Sequence, residues 1–290
     1  MKMNVFEQYH PLVIFLYFCG AISFSMCTMN PFFITASFIA ASLYFIYLKG
    51  FGAYLKSMKF YLIMFLVVMI INPLFNALGL TVLFYLWGRP ITLEALMYGI
   101  SSGGMLITVV IWFRCYSEVM TSDKFLALFG RIAPNIAMMV AMVLRYIPET
   151  IRKSQEISIS QKALLGDKKL SKRARFTQGV NMASILMSWS LEDSIETADS
   201  MKCRGYGCGK RSLYDKQAMN RFDVILLIIL LLLISSVAVI IFTVANTFVF
   251  YPYLSMPSVN AIFYILYLGF LTLPLILEGK EKLQWMLSSL

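Results

Sequence analysis

Residues Phe222–Val244 read FDVILLIILLLLISSVAVIIFTV. Asp223 at one end is the only charge in this run, and Ser235, Ser236 and Thr243 are its only other polar residues. Crossing about 30 Å of hydrocarbon takes roughly 20 mostly apolar residues. The stretch meets that length, and a helix apolar all round is a membrane or deep-core helix. Working outward, a similar block follows at about Val259–Leu277. Four precede it, at about Leu12–Thr28, Phe32–Leu48, Phe60–Leu80 and Leu93–Phe113. The chain is 59% hydrophobic and 14% charged, and these long blocks exclude a soluble fold. The expected class is therefore all-α: a polytopic membrane protein with about six transmembrane helices. Five and seven are the neighbouring counts, because Gly and Pro interrupt the third block. Asn30-Pro31 makes a sharp turn between the first two. The run Pro11–Met26 has no strongly basic lead or clear small-x-small site, and another span follows at once. It is expected to be a retained helix rather than a cleaved leader.

Proline inside the third block has its own reading. Pro73 frees a backbone carbonyl and bends the helix, so Asn72-Pro73 is expected to pack against protein rather than lipid.

Charge then sets the topology. Of the 25 Lys and Arg residues, 18 lie between Arg114 and Arg221, with ten of the 15 acidic residues among them. The rule that basic loops stay in the cytoplasm explains the sign of that surplus. It does not explain the length of the segment. With Lys49, Lys56 and Lys59 read as one short loop, and Lys280 and Lys282 in a tail, only Arg89 falls on the opposite face. Both termini are then cytoplasmic and the chain sits in the cell membrane. Three regions result: a membrane region over 1–113, a cytoplasmic region over 114–221 and a second membrane region over 222–290. The uncharged loop Asn246–Ser258, with Tyr251 and Tyr253, suits the outer interface. Interspersed acidic residues and the lack of a stacking aromatic pattern argue against nucleic-acid binding.

The 114–221 segment is too polar to span but is patterned for helices. Asp123 is placed to cap a short helix ending near Gly130. An apolar stretch runs from Asn135 to Ile147, breaks at Pro148 with a kink, and continues as a polar helix to about Leu165. Gly166-Asp167 ends it, and Lys168 to Arg175 form a basic linker. A second long helix fits Gln178 to Arg204. Met182, Ile185, Leu186 and Trp189 belong to its apolar set, and Glu192, Asp193, Glu196 and Asp199 to its polar set. At 1.5 Å per residue it is about 40 Å long. Two such helices either lie on the headgroups as a surface anchor or cradle partner proteins.

Cys203-Arg204-Gly205-Tyr206-Gly207 closes the second long helix. Gly205 is suited to the left-handed conformation that ends helices. Arg204 then projects where the helix dipole favours positive charge, offering a fork of donors to a carboxylate. The alternative is an ordinary helix end with a dipole-matching Arg. A phosphate loop is not present: the position five before Gly209-Lys210 is Arg204, and Arg211 follows the lysine. His10 is the single histidine, and Cys203 and Cys208 have no second pair, so no metal site is expected. No catalytic constellation is seen, no cofactor is implied, and Glu94 reads as interfacial.

In order and spacing, these motifs resemble the transmembrane (T) component of energy-coupling factor transporters, the CbiQ/EcfT family. The resemblance runs from about Asn72 to Ser212. Asn72-Pro73-Leu74-Phe75 looks like the family's intramembrane Asn-Pro segment, and Thr92-Leu93-Glu94-Ala95-Leu96 fits the start of the next span. Ser122-Asp123-Lys124-Phe125 and Arg145-Tyr146-Ile147-Pro148 match the lead into the first coupling helix. Met201 to Gly207 is similar to the second coupling motif, usually Ala-Arg-Gly, with Cys203 in the Ala position. The first motif departs: after Ala163, Leu164 stands where Arg is usual and Leu165 where Gly is usual.

That resemblance implies a non-enzymatic coupling subunit with long amphipathic cytoplasmic coupling helices. Two ATPase subunits would bind through Cys203, Arg204 and Gly205, and through Ala163, Leu164 and Leu165. A small membrane subunit would carry the substrate, a vitamin or a metal ion. The competing class is a self-sufficient secondary transporter or channel. Such proteins show internal repeats and broken mid-membrane helices; here Asn72-Pro73 is the one strong candidate, and the membrane halves show no evident repeat.

Overall fold

A computed structural model describes residues 5–76, 79–86, 89–130, 133–165, 171–209, 219–243, 248–251 and 260–288. A short 3-10 turn, Val5–Gln8, precedes helices α1 (Pro11–Cys27), α2 (Pro31–Lys49) and α3 (Phe51–Phe75). A hairpin of β1 (Val82–Leu86) and β2 (Arg89–Thr92) leads into α4 (Leu93–Val119). Then come α5 (Ser122–Phe129), α6 (Pro134–Leu165), α7 (Lys172–Cys203), α8 (Arg221–Thr243) and α9 (Ala261–Ser288).

Helices α2, α3, α4, α8 and residues Ala261–Lys280 of α9 are long and apolar enough to cross a membrane, and α1 is a shorter apolar helix of 17 residues. The chain is a helical protein of the multi-pass membrane type. It divides into two compact units: Met1–Phe125 with Ala218–Leu290, and Leu126–Gln217.

In the first unit, α4 packs against α1, α2 and α3, while α9 packs against α2 and α8. The centre is aromatic. Trp112 of α4 is fully buried, its ring 6.0 Å from Tyr17 and 6.2 Å from Phe18 on α1. Tyr17 also lies 5.5 Å from Phe270 of α9. These edge and tilted contacts add to area burial in a setting where water cannot help. Several of the buried polar groups at this centre find partners inside the protein, as a water-free interior favours. Trp112 Nε1 donates to Ser37 Oγ at 3.0 Å, Ser37 and Ser25 share a 2.8 Å hydrogen bond, and Tyr17 donates to the Leu271 carbonyl at 2.8 Å.

Asn72-Pro73 packs as its sequence implies. Pro73 is buried within α3, and Asn72 Nδ2 donates to Ser102 Oγ of α4 at 3.0 Å. Gly99 permits that approach: a Cβ there would sit 3.1 Å from the Met69 carbonyl oxygen and 3.3 Å from Asn72 Cβ.

Several boundaries differ from the sequence reading. The third span starts at Phe51 rather than Phe60 and ends at Phe75 rather than Leu80. Lys56 and Lys59 are therefore on a helix, not in a loop. A single residue joins α2 to α3: Gly50 adopts φ +84° and donates its N–H to Ile46 O at 2.8 Å. A left-handed glycine turns the chain within one residue, so a connecting loop is not needed. The β1–β2 hairpin was also unanticipated; Arg89-Pro90 lies in β2, with Pro90 opposite Tyr85. In the second unit, α6 runs through Pro148 as one continuous helix. Helix α7 starts at Lys172, six residues before Gln178, because Ser171 caps it: its Oγ accepts from Ala174 N at 3.3 Å. Asp123 lies in the first turn of α5. Gly166, Asp167, Lys168, Lys210, Arg211, Ser212 and Tyr253 lie outside the described residues.

Candidate functional site

The second unit is built largely from α6 and α7, and its contacts define how the two helices run. Tyr146 shares a 2.8 Å hydrogen bond with Thr197, Lys153 sits 5.8 Å from the Trp189 ring centroid, and Ser154 Oγ lies 3.5 Å from Met182 Sδ. Positions rising along α6 meet positions falling along α7. The helices therefore touch in opposite senses, through the middle of each.

Their C-terminal ends consequently point apart. Leu164 lies 11 residues past Lys153, about 16 Å along α6, and Arg204 lies 15 residues past Trp189, about 22 Å along α7. The two sequence motifs thus occupy opposite ends of the pair rather than one patch.

At the α7 end the cap follows the expected chemistry. Arg204 is the C-cap residue and Gly205 adopts φ +81°. Tyr206 N donates to Met201 O at 3.0 Å, and Gly205 N donates to Lys202 O at 2.9 Å. This pair of bonds defines the Schellman arrangement, which satisfies the last carbonyls of the helix. Gly207 is also left-handed, at φ +90°. Cys203, Arg204 and Gly205 are all exposed, whereas Lys202 pairs with Asp199 at 3.7 Å. Arg204 makes no ion pair among the described residues. Its guanidinium stands at the carbonyl-rich end of a helix, open to a carboxylate from outside.

At the α6 end the chemistry is different. Ala163 is exposed, and Leu164 is 88% exposed. Leu165 ends the helix, and its side chain lies outside the described residues. A leucine that open to solvent gives up about 1.5–3 kcal/mol of burial.

The faces between the ends are also uncovered. Neither α6 nor α7 has a buried residue among those described. On α6, Ile136, Met139, Val143, Ile147 and Ile151 form an exposed apolar stripe at helical spacing. On α7, Met187, Leu191 and Ile195 are each 64% exposed or more. Apolar stripes of this extent mark protein or membrane contacts.

Glu94 lies near a helix end, as its sequence position implies. It is buried in the first turn of α4, where its Oε1 accepts from Thr81 N at 3.3 Å. Acidic charge is favoured at that helix end. Close by, burial pushes the Tyr251 hydroxyl's pKa above its ordinary value, with Tyr98 and Glu94 adding to the rise. Among the described residues, no cluster of three or more His, Cys, Asp or Glu is placed to hold a metal.

The sequence matches no protein-family model and no curated protein. The functional reading therefore rests on the motifs and on the geometry of α6 and α7.

Proposed function

We propose that this chain is the non-catalytic coupling subunit of an ATP-driven micronutrient uptake transporter in the cell membrane, with both termini cytoplasmic. It links two ATPase subunits to a small membrane subunit that binds a vitamin or a metal ion. The observation that carries this reading is the pair of 32-residue helices, α6 and α7, which leave their apolar faces exposed. Helices of that length, amphipathic but unburied, are stable only with something against them. Their exposed C-terminal ends match in position the two coupling motifs of the resembled family.

One end offers a guanidinium and the other a leucine, so the two ATPase contacts differ in kind. Arg204 suits an acidic groove. Leu164 suits an apolar one. This inequality favours two different ATPase chains over two copies of one.

Affinity purification from detergent-solubilised membranes, with every co-purifying chain identified, tests the proposal. The expected result is capture of nucleotide-hydrolysing subunits together with a small membrane protein. Recovery of the chain alone, with ion-gradient-driven transport in liposomes, would instead establish the secondary transporter.

A further inference from the structure

Helices α2, α3 and α4 leave a cleft of about 340 Å³ between them. Ile34 and Phe38 of α2, Leu62 and Phe65 of α3, and Gly104 and Ile107 of α4 line it. Each pair is spaced three or four residues apart, so one stripe of each helix faces the cleft. No charged residue lines it. The volume is at the lower end of the ~300–1,000 Å³ range of small-ligand sites. Because it lies between helices long enough to span a bilayer, lipid chains are the molecules suited to reach it.

Followed seven residues further, the stripes lead from Phe38 to Phe45 on α2 and from Ile107 to Arg114 on α4, about 10 Å along the helices. There the surface changes character. The Arg114 guanidinium lies 5.6 Å from the Phe45 ring centroid, and its Nη1 donates to Ser57 Oγ of α3 at 2.9 Å. Arg114 has no carboxylate partner among the described residues. Glu118, one turn on, pairs with Lys49 instead. Lys56 and Lys59 flank Ser57 on α3; both are exposed, and neither forms an ion pair among the described residues. Leu55, Met58 and Leu62 make an exposed apolar edge along α3 that runs from this cationic end into the cleft, which Met58 and Leu62 also line.

We propose that the α2–α3–α4 groove binds one anionic phospholipid, with an acyl chain in the cleft and its phosphate at Arg114 and Ser57. Arginine, set beside an aromatic ring with donors to spare, is suited to phosphate. Lys56 and Lys59 add positive charge that no carboxylate pairs with among the described residues, so the site favours a headgroup carrying no ammonium of its own. A free phosphate meets the same cations but leaves the cleft unfilled. This inference does not depend on the transporter reading.

The test is native mass spectrometry of the full chain in detergent, titrated with phosphatidylglycerol or phosphatidylcholine. The wild type is expected to retain one phosphatidylglycerol per chain in preference to phosphatidylcholine. Arg114→Gln should weaken that retention about fivefold or more, as loss of a basic residue beside an anionic lipid does. Thr35→Trp, at an exposed position on the cleft wall, should reduce retention of both lipids. Should Arg114→Gln fail to give a monodisperse protein, the double variant Lys56→Gln, Lys59→Gln takes its place with the same expected direction. Equal retention of the two lipids would overturn the proposal, as would wild-type retention by the variants. Displacement of the lipid by millimolar inorganic phosphate would identify a simple anion site and also overturn it.

Discussion

Reversing one charge at the end of α7 separates the coupling role proposed for that end from its role in folding. In Arg204→Glu the backbone cap survives, because both of its hydrogen bonds are made by the main-chain N–H groups of Gly205 and Tyr206. Only the side chain changes, and it is exposed with no ion pair among the described residues. The local cost is a negative charge at a helix C-terminus, about 0.3–1 kcal/mol. The cost to a partner is larger. A charge-assisted hydrogen bond lost at an interface is worth about 1.5–3 kcal/mol. At 1.4 kcal/mol per factor of ten, ATPase binding should weaken roughly ten- to hundredfold. Like-charge repulsion in an acidic groove would add to this. The assay pairs quantitative co-purification of the ATPase subunits with substrate uptake in cells, and membrane levels of the chain serve as the control. Arg204→Lys should recover part of the binding, since it restores charge without the planar fork. Wild-type capture and wild-type uptake by Arg204→Glu would show that this end is an ordinary helix terminus.

Three further outcomes follow from the geometry. Leu164→Arg changes a nearly free side chain, so the isolated chain's unfolding free energy should stay within about 0.5 kcal/mol of wild type. Retention of one ATPase should change nonetheless, and an unchanged complex would mean that the α6 end touches no partner. Gly79→Ala puts a Cβ 2.6 Å from Glu94 Oε2 and 2.8 Å from Thr92 Oγ1, at φ +139°. Thermal unfolding in detergent should show a loss of about 1–3 kcal/mol, and a neutral result would mean that this loop is not held against α4. Trp112→Phe removes the donor to Ser37 and part of a fully buried ring. It should cost about 1–3 kcal/mol, and unchanged stability would argue against an aromatic centre shared by α1, α2 and α4.

The membrane helices were legible because length and unbroken apolarity report directly on the bilayer. Where charge interrupted that signal, the reading slipped. Lys56 and Lys59 looked like loop residues, although long side chains reach polar surroundings from a helix, so α3 starts earlier than its hydropathy implies. The β1–β2 hairpin was hidden for the opposite reason: Val82 to Leu86 is apolar and short, and nothing in periodicity distinguishes so brief a run from the fringe of a span. Gly205 was readable, since a glycine after a long helical pattern has one common use. The placement of the motifs at opposite ends was not, because it depends on which residues of α6 meet which residues of α7. The groove ending at Arg114 was equally invisible, as its lining is drawn from three helices whose stripes look like ordinary packing.

The opposed sense of α6 and α7 also has a mechanical consequence. Anything that grips both tips holds a beam by its two extremities, and unequal displacement there rotates the beam instead of sliding it. On the proposed reading one fastening would be ionic and the other apolar, so added salt would screen the first and spare the second. Raising ionic strength should loosen the device at a single pivot, leaving it tethered but unable to transmit torque.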